Sequence, residues 1–244
     1  MTTMIKPKYL LWVMLFLPAA TLIVTYTLTV KLHHDDMIIP FISSSINFAP
    51  ESCIGALGIS ITSFILVLII FVKYLIGKFN ILNDPYTQDE KRRHITNKAC
   101  LGLGLISAFG MNGVASFQYH NAPIPHIVFA TLFFLFGVVY LLIQTYMDSI
   151  TKSLPRGMMI FRRINSIASL FFFIPYLVFQ FFEKAIYQNI AAAFEILSAA
   201  TFFLYFITYF YEFSQLKLNI DFSYQLRNST ATHSPTSPLL GFRI

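Results

Sequence analysis

Six apolar stretches, 10–30, 53–72, 99–117, 126–147, 164–182 and 190–211, divide the chain, and only the last contains a Lys, Arg, Asp or Glu, namely Glu195. Each is close to the length of about 20 residues that a helix rising about 1.5 Å per residue needs to cross a hydrocarbon core of about 30 Å. Inside lipid the backbone must satisfy its own hydrogen bonds, so each stretch is predicted to be a helix. The expected fold class is all-α: a polytopic membrane protein built as a six-helix transmembrane bundle. A hydrophobic fraction of 56% with 11% charged residues fits that class and is far from a soluble domain.

The connecting segments alternate in basic charge. One set carries Lys6 and Lys8; then Lys73, Lys78, Lys91, Arg92, Arg93 and Lys98; then Lys152, Arg156, Arg162 and Arg163; and finally Lys217, Arg227 and Arg243. The other set carries only Lys31 and Lys184. Basic segments next to spans are retained in the cytosol, which predicts that the first set and both termini are cytosolic and the second set lumenal or external. The positive balance then calls for no nucleic-acid partner. Membrane lipids are the expected partners, with Lys91, Arg92, Arg93, Arg162 and Arg163 as membrane-surface contacts. The run from Tyr9 to Val30 exceeds the roughly 15 residues of a cleavable signal core, so it is expected to stay as the first span.

Residues 1–213 form one membrane domain on this reading, and 214–244 a cytosolic tail, polar and proline-punctuated enough to be disordered. The segment Lys73–Lys98 reads as a solvated loop with a turn at Asn83-Asp84-Pro85. In the tail, Ser234-Pro235 and Ser237-Pro238 are candidate phosphorylation sites, and the sequon Asn228-Ser229-Thr230 should stay unglycosylated in the cytosol. Cys53 and Cys100 fall at opposite faces, too far apart for a disulfide.

Glu195 lies roughly 7–8 Å inside the sixth span. A carboxyl at that depth is costly unless paired or wetted, so it should face the bundle, as its small helical neighbours Ala191, Ala192, Ser198 and Ala199 also indicate. Glu51, Gln118 and His126 end or begin spans at the same lumenal face. Together the four residues define a candidate lumenal pocket for a lipid headgroup, a cation or a proton. A simpler alternative has Glu195 hydrogen-bonding His126 or Gln118 to hold helices together.

Asn112 and Gln144 read as interhelical packing contacts. The third span, crowded with Gly, Ala and Ser, should lie inside the bundle, whereas Phe171, Phe172, Phe173, Phe202, Phe203 and Phe206 should present surface to lipid. Pro18 and Pro175 predict kinks. No protease, esterase, Walker or paired His–Cys pattern occurs, so neither enzyme activity, metal nor cofactor is expected.

Several of these segments also form a recognisable set. Pro40-Phe41-Ile42-Ser43 and Pro50-Glu51-Ser52 precede span two, Phe109-Gly110-Met111-Asn112-Gly113-Val114-Ala115-Ser116-Phe117-Gln118 closes span three, and Pro125-His126 opens span four. Gly137-Val138-Val139-Tyr140 with Gln144, then Glu195, then Phe210 to Phe213 complete it. In these the chain resembles the damage-regulated autophagy modulator family of six-span proteins over nearly its whole length. The resemblance implies a lysosomal or other endomembrane protein that modulates autophagy through lipids or autophagy proteins, with links to stress and cell death. It supplies no catalytic residue. Two other readings stay open: a plasma-membrane scaffold for a phosphoinositide kinase, and a proton or cation transporter using Glu195 and His126. The tail lacks acidic-dileucine and tyrosine sorting patterns, since Pro235 and Arg227 occupy their key positions.

Overall fold

The computed structural model describes residues 2–35, 39–83, 89–151, 154–216 and 218–221. Six long helices carry the fold: α1 (Lys8–Leu32), α2 (Glu51–Leu82), α3 (Glu90–Ser116), α4 (Pro123–Thr151), α5 (Arg156–Phe179) and α6 (Ala185–Ile207), followed by the short α7 (Phe210–Gln215). All six are long and apolar enough to cross a membrane. The expected six-helix bundle is therefore what the chain forms. Sequence neighbours pack as antiparallel pairs, and α1 closes the bundle against α6 and α7. Outside it, β1 (Thr2–Ile5) pairs antiparallel with β2 (Leu218–Asp221) and brings both ends of the described chain to one face, called here the terminal face.

Burial in this bundle is inverted relative to a water-soluble one. On α1 the buried positions Leu11, Met14, Pro18, Thr21, Thr25 and Thr29 follow three- and four-residue spacing, while Phe16 and Ile23 are exposed. Lipid chains solvate the apolar side chains, so the small and hydroxylated ones are free to face neighbouring helices. Hydroxyls also staple the central helices: Ser63 on α2 donates to the Ala108 carbonyl of α3 (2.7 Å), and Ser107 on α3 donates to the Phe133 carbonyl of α4 (2.8 Å).

The elements run longer than their apolar stretches. At 32 residues α2 measures roughly 48 Å, well beyond the hydrocarbon core. The segment Lys73–Lys98 is accordingly not a loop through its length: α2 continues to Leu82 and α3 starts at Glu90. The expected turn at Asn83-Asp84-Pro85 falls on residues 84 and 85, which lie outside the described residues. The helices α1 and α5 continue through Pro18 and Pro175.

The phenylalanines divide differently from expectation. Phe171 faces outward, but Phe173, Phe202 and Phe206 are buried in the core, and Phe172 and Phe203 are half-buried. Aromatic pairs such as Phe133 against Phe202 (5.1 Å between ring centres) fill the space between α4 and α6. Asn112 is exposed rather than packed. In the tail, residues up to Gln215 finish α7 and Leu218–Asp221 form β2, while the expectations for Asn228, Ser234 and Ser237 lie outside the described residues.

The third span does sit between neighbours, packed on α2 and α4. Its closest approach is at Gly110, where an added Cβ would meet backbone atoms of Phe129, Leu132 and Phe133 on α4, whereas one at Gly102 would meet nothing. Backbone cannot yield as a side-chain tip can. We expect Gly110→Ala to lower the thermal stability of the detergent-solubilised protein, by about 1–3 kcal/mol or more, and Gly102→Ala to leave it within about 0.5 kcal/mol. Fluorescence-detected size exclusion after heating reads both. Equal melting of the two variants would contradict the close α3–α4 contact.

Candidate functional site

At the face opposite the termini, the segment between α1 and α2 folds back into the bundle instead of arching over it. Its 3₁₀ turn, Ser44–Ile46, buries Ser45 and Ile46 completely or nearly so. Backbone polar groups placed at that depth need partners, and the surrounding helices supply them. Thr29 on α1 donates to the Ser45 carbonyl (3.2 Å), Thr25 Oγ1 lies 3.2 Å from Ser45 Oγ, and Tyr26 donates to the Pro40 carbonyl. From α6, Asn189 Oδ1 accepts from the Ile39 amide (3.1 Å).

Glu195 is the deepest of these anchors. It is 4% exposed, and because α6 begins at Ala185 it sits roughly 15 Å along the helix, deeper than its apolar stretch indicated. Its carboxyl accepts from the Ile42 amide (2.7 Å) and from the backbone of Ser43. The expected partners bond elsewhere, His126 to Phe117 and Gln118 to Ala115 and Asn121. Glu195 is thus a clamp on the re-entrant loop and not a helix-to-helix bond.

His126, on the first turn of α4, donates from Nδ1 to the Phe117 carbonyl at the end of α3 (2.6 Å). That bond fixes the proton on Nδ1 and leaves Nε2 as the acceptor of the ring. Glu51 is fully buried at the start of α2, paired with His34. Gln118 makes local contacts to Ala115 and Asn121. The four residues therefore do not share one pocket. Of the four, His126 and Glu195 line a common chamber, of about 60 Å³, walled mainly by apolar side chains including Met111, Phe133 and Phe203. An adjoining cavity of about 190 Å³ shares Ser43, His126 and Ala130 with it and extends between α4 and α5.

Near the terminal face lies a second polar cluster. Lys73 of α2 donates to Asp148 of α4 (2.8 Å) and to Glu212 of α7 (2.5 Å). Arg162 of α5 bridges the same two carboxylates with its two terminal nitrogens, and its Nε donates to Thr208 (2.7 Å). Gln144 adds a bond to Asp148 (3.1 Å). The Tyr209 ring lies beneath both cations, 5.1 Å from Lys73 Nζ and 4.8 Å from Arg162 Cζ. Two cations and two anions balance, and four helices meet at one point.

This arrangement corrects the reading of Arg162 as a membrane-surface contact, because the residue is 0% exposed and its guanidinium is spent on carboxylates. Arg93 is also buried, on the face of its helix away from solvent. Lys91, Arg92 and Arg163 are exposed at the surface. The cluster escaped sequence reasoning because each member sits within a residue or two of a span end, where cations read as anchors. The available signal was the acidic pair, Asp148 and Glu212, at span ends otherwise rich in Lys and Arg. Among the described residues no group of three or more His, Cys, Asp or Glu is placed to hold a metal.

Two substitutions separate the clusters. Removing one member of a buried ion pair strands its partners and costs about 3–5 kcal/mol, so Arg162→Met should abolish the monodisperse peak while Arg163→Met changes stability by under about 0.5 kcal/mol. Indistinguishable behaviour of the two would refute the buried network. At the other face, Glu195→Leu leaves two loop amides unmatched at about 1–3 kcal/mol each, and Glu195→Gln keeps one acceptor oxygen. The melting order should be wild type, then Glu195→Gln, then Glu195→Leu, with proteolysis of the 39–48 loop rising in the same order. Wild-type stability and protection in Glu195→Leu would remove the clamp.

Both clusters lie on elements with relatives elsewhere. The chain is 35% identical to DNA damage-regulated autophagy modulator protein 2 of Bos taurus over 130 residues, covering 53% of this chain and 47% of that protein. It is 32% identical to the Homo sapiens protein of the same name over 140 residues (54% and 50%), and 27% identical to DNA damage-regulated autophagy modulator protein 1 of Homo sapiens over 218 residues (83% and 89%). The match thus spans about half the length of the protein 2 relatives. No solved structure matches the chain significantly. Residues 7–216, which hold all seven helices and both polar clusters, match the Frag1/DRAM/Sfk1/Cwh43P N-terminal domain, and the chain belongs to that family.

Proposed function

We propose that this chain is a non-enzymatic integral membrane regulator of autophagy, resident in the lysosomal or another endomembrane, that works through contacts with lipid or with autophagy proteins. The observation that carries the reading is its similarity to proteins named DNA damage-regulated autophagy modulators, over 83% of its length in one case. The words 'DNA damage-regulated' in those names support the link to stress, and the link to cell death is part of the proposal.

The geometry supports contacts more than chemistry. Glu195, His126, Lys73, Asp148, Arg162 and Glu212 are engaged in holding a loop or joining helices. A proton or cation transporter that used Glu195 and His126 would have to release the loop amides and the Phe117 carbonyl at each cycle. The charge rule turns the terminal face to the cytosol. There, exposed Lys91 and Lys98 with half-buried His94 border an open depression of about 730 Å³ that also includes Glu90. This basic border favours one second reading, a plasma-membrane scaffold for a phosphoinositide kinase.

Deletion of the protein should reduce autophagic flux under starvation or genotoxic stress, measured by turnover of a tandem-fluorescent autophagosome marker, and the tagged protein should co-localise with lysosomal or endosomal markers. Unchanged flux would remove the regulatory reading. Exclusive plasma-membrane signal would favour the scaffold.

A further inference from the structure

The cavity between α4 and α5 is built differently from a packing defect. At about 190 Å³ it exceeds the roughly 30 Å³ share of a water molecule several times over, and its wall is mixed: aromatic rings of Phe41, Phe173 and Tyr176, with hydroxyls and amides between them. Ile127, Thr131 and Leu177 line it and are also exposed on the outside of the bundle. Thr131 lies roughly 12 Å along α4 from Pro123. The cavity therefore runs from Ser44, Tyr119, Gln180 and Gln188 near the loop face down to Thr131, a depth at which the gap between the two helices borders the hydrocarbon layer.

Two buried polar groups face this space unspent. His126 is 4% exposed and uses Nδ1 on the Phe117 carbonyl, and among the described residues nothing bonds its Nε2. Tyr176 is 7% exposed, and among the described residues no hydrogen bond engages its hydroxyl. With the proton held on Nδ1, Nε2 accepts, while a phenol both donates and accepts. A single hydroxyl group on a ligand satisfies both at once, donating to His126 and accepting from Tyr176.

Charge narrows the ligand further. No Lys or Arg lines either chamber, and the one carboxyl, Glu195, is already committed to the loop amides. A phosphate or carboxylate headgroup would enter without a counter-charge and face Glu195 across the shared wall, at several kcal/mol per ion. An ammonium headgroup would find no free anion.

We propose that this cavity binds the hydroxyl head of an uncharged membrane lipid, which enters sideways between α4 and α5 and lays its apolar body against Phe173 and Leu177. Sterols and mono- or diacylglycerols share that chemistry. The site deepens the reading of the protein as a lipid-contacting regulator and rests on it only for its biological use.

The test uses the full chain in phosphatidylcholine nanodiscs with three photoactivatable probes: a cholesterol analogue, a diacylglycerol and a phosphatidylserine. Ultraviolet crosslinking followed by peptide mass spectrometry should place the label within 126–131 or 173–180, competed by the unlabelled lipid. Labelling by the sterol alone, the diacylglycerol alone or both supports the site and identifies its source. Tyr176→Phe, which removes only the hydroxyl, should lower labelling roughly five- to tenfold, and Thr131→Trp, on an exposed position, should block the opening to a similar degree with the melting temperature retained. Labelling by phosphatidylserine at equal strength, label that is not competed, or label indifferent to both variants would overturn the proposal. Because the readout is made on purified protein, its failure leaves the flux experiment untouched, and loss of the flux effect leaves the crosslink standing.

Discussion

Lipid offers a backbone amide or a charged side chain no hydrogen bonds, and this single constraint organises the molecule from end to end. Six helices satisfy their own main chains, which leaves three classes of group to be settled by packing: hydroxyls, the re-entrant loop and the ionisable residues. Many hydroxyls find carbonyls on their own or adjacent helices, as Ser63 and Ser107 do, while Ser169 and Ser198 bury theirs without a partner among the described residues. The loop finds Thr25, Thr29, Asn189 and Glu195. The four charges near the terminal face find one another. In each case a polar atom specifies a contact that apolar packing alone would leave free to slide.

The two polar clusters act on different kinds of object. Near the terminal face the balanced quartet joins α2, α4, α5 and α7, elements separated by up to 139 positions in sequence, and so fixes the register of the bundle. Such a network is weak evidence for stability in itself, since desolvation consumes much of the Coulombic gain, but mispairing it is expensive. At the opposite face Glu195 holds main chain, and what it fixes is the shape of a loop. That loop then forms part of the wall, through Phe41 and Ser43, of the cavity beside it.

The spans were legible because the bilayer imposes a length, and an uncharged run of about 20 residues has few other uses in a chain. Their ends were less so, since α2 and α3 run on as helix past the hydrocarbon limit. Arg162 was misread because the charge rule assigns a face to a cation and says nothing of its partner, and the partners lie 14 and 50 positions away. Glu195 was found as a buried carboxyl, yet its ligands are main-chain amides, which every residue but proline carries and no sequence pattern marks. The buried phenylalanines were legible in part: Phe202 and Phe206 stand four apart on the same face as Ser198 and Thr201, while Phe171 lies on another face of its helix from Phe173.

At the α4–α5 seam the constraint is left incomplete beside a cavity. Elsewhere in the bundle close approach follows from glycine against backbone, as at Gly110, or from ring against ring, as between Phe133 and Phe202. Along α4 and α5 rings also meet, Phe134 against Phe173 and Tyr176, but nearer the loop a cavity opens beside them, and His126 and Tyr176 each keep a polar atom without a partner among the described residues. A buried donor or acceptor left unmatched costs about 1–3 kcal/mol. His126 and Tyr176 border a cavity large enough to admit a partner, and a lipid hydroxyl supplies what the chain does not.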